Sequence, residues 1–278
     1  MKFQPVIKWS GSKRSQSLQI VSYLPKEIDT YYEPFVGSGS VMFQLLHSDI
    51  KVNQVICSDI NKPLIDLWKV IKERPLELVK HYNLLWQGLT ELPDTQEGIE
   101  EKKRYFNQVR SRFNKTRNPM DFYFLIRTTA NGLVRFNQKG EFNNGLHINR
   151  NGVHPDRLLP VVEQWSERLN ERNVQFLHRS YDEIQTNKDD FLYLDPPYAN
   201  TKGMYFGGIK LPEFFDWLGQ QAGGYALSFD GKTEKVDNTF PVPEHLYIQH
   251  IYLKGGLSTF RRLLDKGIQN VEESLYLK

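Results

Sequence analysis

The chain has 278 residues, a mass of 32.7 kDa, 39% hydrophobic residues and a formal net charge of +3. No apolar run approaches the roughly 20 residues that a membrane helix needs, and the first residues lack the apolar core of a signal peptide. The single cysteine excludes an internal disulfide and argues against a cysteine-based metal site, and the seven histidines are not spaced as metal ligands. These features predict a cytoplasmic protein without a metal.

Positive charge is concentrated in the middle of the chain. Residues 100–157 carry twelve Lys/Arg and five Asp/Glu, a net charge of +7, so the remainder carries −4. A basic segment within a mildly acidic frame indicates a polyanion-binding module, although a solvated helix face with surplus lysines would have the same composition. Because arginine makes bidentate contacts with phosphates and guanine edges, the composition favours nucleic acid as the partner.

The first motif in chain order is KWSGSK at residues 8–13, a predicted loop before a helix at residues 15–23. Trp9 between two lysines offers a ring for a purine and cations for a carboxylate, though a surface Trp beside solvated lysines is the commoner arrangement.

A strand, a glycine-rich turn and a helix are predicted next, at residues 31–36, 37–40 and 41–46. Gly37 and Gly39 would let the backbone approach a ligand closely, but their spacing fits neither the dinucleotide fingerprint nor a P-loop, and a plain tight turn is the alternative. The following strand, residues 54–59, ends in Asp59, where a Rossmann-like unit places the carboxylate that binds ribose hydroxyls. Asn61 is predicted to cap a helix at residues 63–72.

The alternation of strands and helices then stops. Helices are predicted at residues 76–89, 101–113, 120–129 and 156–170. Between the last two lies NGLVRFNQKGEFNNG, residues 131–145, which predicts a loop or hairpin that exposes amides and arginines. Asn and Arg read adenine and guanine edges, so this loop is a candidate DNA contact, with an ordinary long polar loop as the alternative.

Strands and helices alternate again from residue 174, with strands at 174–178, 191–194, 225–229, 245–253 and 273–277 and a helix at 211–221. The strand at 191–194 ends in Asp195-Pro196-Pro197-Tyr198. Neither proline has an N–H for sheet pairing, so the strand must stop there and present a carboxylate, a carbonyl and a ring at its C-terminal edge, where open α/β sheets bind ligands. Such a turn suits a planar group with N–H donors, such as a nucleobase amine; a strand ending in a Pro turn is the alternative.

The order of these motifs resembles the D12-type (Dam-type, α-group) DNA adenine N6-methyltransferases. The shared pattern is KWxGxK, EPFxGxGxV, a strand ending in Asp, a basic insertion with NGLxRxNxxGEFN, and DPPY, and it spans most of the chain. The resemblance implies the α/β class, with a Rossmann-like class I SAM-dependent methyltransferase sheet and an inserted, mainly helical target-recognition domain. It implies a catalytic domain of residues 1–72 and 172–278 and a recognition domain of residues 73–171.

The resemblance also implies a role for each candidate residue. Asp195 and the Pro196 carbonyl look like the acceptors for the target amine, and Tyr198 looks like the ring that stacks on the flipped base. The predicted contacts of S-adenosylmethionine (SAM) are Trp9, Lys13, Phe35, Gly37, Gly39, Asp59, Ser180, Tyr181 and Asp195. The predicted DNA-binding residues are Arg127, Asn131, Arg135, Asn137, Lys139, Arg261 and Arg262.

The function implied is transfer of the SAM methyl group to the N6 amine of a flipped adenine in double-stranded DNA by direct displacement, with S-adenosylhomocysteine as product and no metal. N4-cytosine or RNA adenine methylation on the same fold is an alternative, and so is an inactive nucleic-acid-binding Rossmann-like module. Double-stranded DNA is the expected partner, and no membrane is expected. A cognate restriction endonuclease in the same restriction-modification system, a phage origin and a solitary regulatory role are open alternatives, and no stable contact with an endonuclease is implied.

Two positions depart from the family pattern. Ala130 stands where members carry an aromatic residue, and Asn144-Gly145 stand where members that modify GATC typically carry Val or Ile and then Pro. Both departures lie in the predicted recognition loop, so GATC is not predicted as the recognition sequence.

Overall fold

The computed structural model describes residues 4–129, 134–197, 209–233, 237, 239–254 and 271–278. These residues fall into two compact units. The helical unit contains residues 4–12 and 60–178, and the sheet unit contains residues 13–59, 179–197 and the described residues from 209 onward. The domain boundaries predicted at residues 72 and 172 stay a prediction.

The described residues form seven strands and eight helices. The strands are β1 (Glu27–Glu33), β2 (Lys51–Asp59), β3 (Gln175–His178), β4 (Phe191–Leu194), β5 (Gly224–Thr233), β6 (Gln249–Lys254) and β7 (Val271–Leu277). The helices are α1 (Ser17–Val21), α2 (Ser40–Leu46), α3 (Lys62–Glu73), α4 (Pro75–Thr90), α5 (Gln96–Thr116), α6 (Pro119–Thr128), α7 (Pro155–Glu171) and α8 (Leu211–Gly219). None of these helices is both long and apolar enough to cross a bilayer.

The sheet unit is built on a mostly parallel sheet. Its strands lie in the order β2-β1-β4-β5-β7-β6, with the first four parallel and β7 antiparallel to both of its neighbours. All four residues of β4 are buried, as expected for a central parallel strand whose two faces are covered. Phe214 and Trp217 of α8 pack with Leu192, Leu194 and Leu227 in the core of this unit.

Several strands of the sheet unit differ from their predicted bounds, and β1 and β6 show the reasons most clearly. β1 is found at Glu27–Glu33 and not at residues 31–36, because its first residues alternate between exposed and buried side chains and Pro34 ends the pairing. β6 begins only at Gln249, because the residues after Pro243 form a 3₁₀ turn, Glu244–Leu246. For β1, the run of aromatic residues made the predicted strand begin too late. For β6, the mixed polarity of the segment gave no signal for the residue at which the strand begins.

The helical unit contains α3 to α7 and β3. Side-chain caps define where several of its helices begin. The Asn61 side chain accepts a hydrogen bond from the Leu64 N–H at 3.2 Å, which confirms the predicted cap of α3. Asn118 accepts from the Met120 N–H at 2.9 Å at the start of α6 in the same way. Trp68 of α3 packs against Trp165 of α7 and Phe176 of β3, with ring centroids 5.1 and 5.3 Å apart.

A buried carboxylate joins three helices of the helical unit. Asp121 of α6 is fully buried and accepts two hydrogen bonds from Arg112 of α5, both at 2.7 Å, and His81 of α4 lies 2.7 Å away. Burial opposes ionisation of Asp121, but the hydrogen bonds from Arg112 and His81 outweigh it and lower the pKa of this carboxyl group. The charged cluster therefore fixes α4, α5 and α6 relative to one another.

We expect Asp121→Asn to lower the free energy of unfolding by roughly 2–3 kcal/mol at pH 7, because Arg112 loses its counter-charge. Urea unfolding measures the change. Asp156→Asn is the control, since the Asp156 carboxylate is 90% exposed, and it should have no measurable effect.

The folded-state pKa of Asp121 lies below its unfolded value, so the wild type loses this contribution as the pH falls below about 4. The two proteins should then converge; a constant difference down to pH 2 would contradict the assignment.

Candidate active site

The ends of three parallel strands bring the predicted site segments to one edge of the sheet. β1 lies between β2 and β4, with Glu33 opposite Cys57 and Tyr32 opposite Leu192. Because the strands are parallel, the residues that follow them leave the sheet at the same edge. The glycine turn after β1, Asp59 at the end of β2 and Asp195 after β4 therefore lie at neighbouring strand ends.

The glycine turn uses backbone conformations that favour glycine. Gly37 and Gly39 have φ angles of 46° and 65°, in the left-handed region where a Cβ atom would be strained. The Gly39 N–H donates to the Val36 carbonyl at 2.7 Å, and α2 begins at the next residue. The Val36 N–H donates to the Ser58 carbonyl at 3.1 Å, so the turn is held against the end of β2 beside Asp59.

Aromatic rings form an apolar surface near the start of this turn. The Phe35 ring lies 5.7 Å from the Tyr181 ring, and both pack against Phe214 of α8 at 6.4 and 5.2 Å. Ser180 begins the 3₁₀ turn that contains Tyr181, and its N–H donates to the Glu183 carboxylate at 2.7 Å. The structure thus brings together Phe35 and Tyr181, which are 146 positions apart in the sequence.

The strongest polar contact of the site joins Lys13 to Asp195. The Lys13 ammonium donates to both oxygens of the Asp195 carboxylate, at 2.8 and 2.9 Å, and lies 3.4 Å from Glu273 Oε2 of β7. The side chains of Lys13, Asp195 and Glu273 are 6%, 19% and 24% exposed. Burial opposes the charged form of Lys13, but the two carboxylates outweigh burial and raise the pKa of the ammonium above its ordinary value. Lys13 is therefore a fixed cation beside Asp195.

A third carboxyl group, affected by the charge of Asp195, was not among the predicted residues. Glu33, 2% exposed, accepts a hydrogen bond from the Tyr31 hydroxyl at 2.7 Å. Burial, aided by the charge of Asp195, raises the pKa of Glu33 to about 8 against the opposing hydrogen bonds from Tyr31 and the Met42 backbone. Glu33 is therefore mainly protonated at neutral pH. A carboxylate within a buried aromatic strand was the signal in the sequence that could have identified it.

Four predicted site residues lie outside the described part of the chain. They are Tyr198, Asn131, Arg261 and Arg262. Trp9 is partly exposed and belongs to the helical unit, whereas Lys13 and the other predicted SAM contacts belong to the sheet unit. Within the described residues, no group of three or more His, Cys, Asp or Glu side chains is arranged to hold a metal ion.

The predicted recognition loop is hairpin-like over residues 134–145. Phe136 and Phe142 pair across it, and the Asn137 side chain closes its tip by accepting the N–H groups of Lys139 and Glu141, both at 2.9 Å. Asn137 is therefore used inside the turn, while the side chains of Arg135 and Lys139 are exposed.

Helix α5 holds this hairpin through its backbone. The Asn114 side chain donates to the Phe142 carbonyl at 3.0 Å and accepts from the Phe142 N–H at 2.9 Å. Arg110 donates to the carbonyl of Asn144 at 2.9 Å, and Arg117 donates to that of Gly140 at 2.7 Å. The Asn144 side chain in turn accepts the Arg135 N–H at 2.8 Å, a bond that the Val or Ile of the GATC-type pattern could not form.

Arg127 has partners inside the helical unit. Its guanidinium donates to the backbone carbonyls of Pro5 and Val6 and lies over the Tyr123 ring, 5.1 Å from its centroid. These bonds tie α6 to the segment that leads to Trp9. The role of Arg127 in DNA binding stays a prediction.

We expect Glu33→Gln to flatten the pH dependence of stability between about pH 5 and 8. Folded Glu33 keeps its proton up to a pKa of about 8, whereas the unfolded side chain loses it near pH 4.3, so the wild type becomes less stable as the pH rises through this range. The variant lacks that proton, and its slope should be smaller by roughly 1 kcal/mol per pH unit.

Urea unfolding at several pH values measures the slope, which a constant packing defect does not change. Glu27→Gln is the matched control on the same strand, because the Glu27 side chain is 73% exposed and pairs with Lys51 at the surface. Equal slopes in wild type and Glu33→Gln would show that Glu33 ionises normally in the folded protein.

Comparison with known proteins places these features in a family. The sequence model of the D12 class N6 adenine-specific DNA methyltransferase family matches residues 9–216. The "Type II methyltransferase M.MjaIII" of Methanocaldococcus jannaschii is 35% identical over 71% of this chain and 70% of its own length. The "DNA adenine methylase" of Escherichia coli is 32% identical over 71% of this chain and 66% of its own length. The "Type II methyltransferase M.FokI" of Planomicrobium okeanokoites is 29% identical over 80% of this chain, but the match covers only 35% of that longer protein.

The match to the family model covers most of the chain and includes the KWSGSK segment from Trp9, the glycine turn, Asp59 and the Asp195-Pro196-Pro197 turn. The chain therefore belongs to the D12 class N6 adenine-specific DNA methyltransferase family, a family of DNA-modifying enzymes.

Proposed function

We propose that this protein transfers the methyl group of SAM to the N6 amine of an adenine flipped out of double-stranded DNA. The observation that carries the proposal is the position of Asp195 and Pro196. They follow the buried strand β4 at the sheet edge where the glycine turn and Asp59 also lie. Open α/β sheets bind their ligands at this edge, and family membership supplies the reaction class.

The residues at this edge have the chemistry that SAM requires. Asp59 provides a carboxylate for ribose hydroxyls, and the left-handed glycines Gly37 and Gly39 keep side chains away from a ligand at the turn. Phe35 and Tyr181 offer an apolar surface for the adenine ring of SAM. When bound, SAM supplies a methyl group on a sulfonium sulfur, which is already a strong electrophile.

The protein's own task is to make a poor nucleophile reactive. The lone pair of the N6 amine is delocalised into the adenine ring. Asp195 and the Pro196 carbonyl accept its two N–H groups and draw the nitrogen toward tetrahedral geometry, so the lone pair is localised toward the methyl group. Formation of the N–C bond would break the S–C bond, S-adenosylhomocysteine would leave, and the methylated amine would lose one N–H proton to the Asp195 carboxylate or to solvent. Positioning and fixed electrostatics of this kind contribute most of the rate in reactions that need no covalent enzyme intermediate.

The target base must leave the helix to reach this edge. Unstacking an adenine costs a few kcal/mol, and an aromatic ring beside the pocket offsets part of that cost. Tyr198, which follows the two prolines, is proposed for this role from its place in the DPPY motif.

Residues 73–171, which make up most of the helical unit, are proposed as the inserted target-recognition domain. Its hairpin at residues 134–145 exposes the side chains of Arg135 and Lys139 and is fixed to α5. A rigid hairpin with exposed cations suits phosphates and base edges of duplex DNA. A cognate restriction endonuclease and a cytoplasmic location stay predictions.

N4-cytosine and RNA adenine methylation remain the rival reactions on this fold. Asp195 in the first position of the motif favours adenine, since N4-cytosine members usually carry Ser there. An inactive binding module is disfavoured by the complete set of Asp195, Asp59 and the glycine turn.

We expect Asp195→Asn to lower methyl transfer at least about 100-fold, because an amide nitrogen cannot accept an N–H and the remaining oxygen is a weaker acceptor. Unmethylated genomic DNA is incubated with methyl-labelled SAM, hydrolysed, and separated into nucleosides. Label should appear in N6-methyladenine with the wild type and with the control Asp29→Asn, whose exposed carboxylate accepts a hydrogen bond from Asn53 at 2.9 Å.

In Asp195→Asn, the SAM affinity measured by calorimetry should fall by a smaller factor than the rate of methyl transfer. Label in N4-methylcytosine would show that cytosine, and not adenine, is the acceptor. Label in RNA alone would show that RNA, and not DNA, is the substrate. An active Asp195→Asn would refute the assignment of this site.

We expect Arg135→Ala to relax sequence selection. If Arg135 reads a base edge, its loss costs about 1–3 kcal/mol at the cognate site and much less elsewhere. Sequencing of methylated positions in DNA treated with each protein gives the readout. Arg74→Ala, which removes an arginine that is about half exposed beside Glu77 in the same unit, should leave the methylated sequence unchanged. An unaltered site preference in Arg135→Ala would exclude base reading by this residue.

A further inference from the structure

Lys13 is shared between two carboxylates, and only one of them belongs to the family motif. Its ammonium contacts both oxygens of Asp195 at 2.8 and 2.9 Å and lies 3.4 Å from Glu273 Oε2. Glu273 lies on β7, beyond residues 9–216 that the family model matches. No role follows for Glu273 from the motifs or from the family.

The strand pair that carries Glu273 has a local irregularity opposite this residue. β5 and β7 shift register between Phe229 and Lys232, which marks a bulge opposite Glu273. A Cβ atom at Gly231 would lie 2.0 Å from the Glu272 carbonyl oxygen and 2.7 Å from Glu273 Cα, so only glycine permits this approach of the two strands. Bulges commonly re-aim side chains beside active sites.

Lys13 and the target amine compete for the same acceptor. In the proposed reaction Asp195 must accept an N–H of a neutral amine, whereas a charged ammonium is the stronger donor and already contacts both carboxylate oxygens. An ammonium fully committed to Asp195 would weaken the acceptor that the amine needs. A second carboxylate that shares the ammonium limits this competition.

We propose that Glu273 is a positioning residue that draws the Lys13 ammonium away from Asp195 when the target amine binds. Glu273 accepts a larger share of the Lys13 charge, and the freed lone pairs of Asp195 accept the amine N–H. Because the Lys13 ammonium already lies near both carboxylates, it needs to shift only a short distance from Asp195 toward Glu273. The inference rests on the proposed adenine methylation, because the amine is the group that displaces Lys13.

The test measures how much binding depends on the amine. Duplexes that carry the mapped recognition site are made with adenine or with purine, which lacks the amine, at the target position. Their dissociation constants are measured by fluorescence anisotropy with S-adenosylhomocysteine present. The amine ratio is the dissociation constant of the purine duplex divided by that of the adenine duplex. Comparing this ratio between proteins cancels the intrinsic difference in base pairing between the two duplexes.

We expect Glu273→Gln to lower the amine ratio about fivefold, because the neutral amide no longer attracts the Lys13 ammonium. Glu273→Asp keeps the charge and should stay within about twofold of the wild type. Glu272→Gln is the matched control: it removes the neighbouring carboxylate of β7, which pairs with Lys232 at 3.5 Å, and should leave the ratio unchanged. The single-turnover methylation rate should fall in Glu273→Gln alone.

Three results would overturn the inference. One is an equal amine ratio in Glu273→Gln and the wild type, and another is an equal loss in Glu272→Gln. The third is a joint fall in S-adenosylhomocysteine affinity and in the urea midpoint of Glu273→Gln, which would indicate a general structural role. If the wild type transfers no methyl group to DNA adenine, the proposed function and this inference fail together, whereas an active wild type with an unmoved ratio refutes only the inference.

Discussion

The buried ion pair between Lys13 and Asp195 is the interaction on which the sheet unit's site depends. The Asp195 carboxylate lies at a strand end where its side chain is 19% exposed, and a carboxylate there is costly unless a cation lies against it. Lys13 supplies that cation from a segment 182 residues earlier in the chain, at 2.8 Å. Once Lys13 is fixed, the segment before α1, the end of β4 and the middle of β7 are held at one place, because each contributes one member of the same charged group.

Charge at this site is balanced by protonation as well as by pairing. Two carboxylates, Asp195 and Glu273, contact the Lys13 ammonium, and a third carboxyl group, that of Glu33, is affected by the charge of Asp195. Burial keeps Glu33 mainly protonated at neutral pH. Among the described residues, Asp195 and Glu273 therefore contribute two negative charges against the one positive charge of Lys13. An excess of negative charge of this kind favours a group that develops positive charge, as a methylated amine does.

The sequence predicted where the candidate site segments lie in the fold better than it predicted the contacts that hold them there. The end of β4 was predictable because two prolines cannot pair in a sheet, and the glycine turn was predictable because its residues suit left-handed backbone. The start of β1 was missed, since an alternating polar strand end is a weaker signal than the aromatic run that follows it. Glu273 could not have been found, because its role depends on a bulge at Gly231 and on a contact between distant strands.

The basic composition of residues 100–157 shows why charge counts overstate a binding surface. Arg112 neutralises a buried aspartate, while Arg110, Arg117 and Arg127 donate to backbone carbonyls. These arginines thus stabilise contacts within the unit, and two of them, Arg110 and Arg117, hold the hairpin that exposes Arg135. Asn144 belongs to the same set of contacts, so a residue that departs from the GATC-type pattern is also a support of the hairpin. Under the proposed role of this hairpin in recognition, a change of recognition sequence would thus involve the hairpin's supports as well as its exposed side chains, while the carboxylates of the sheet unit keep their own partners.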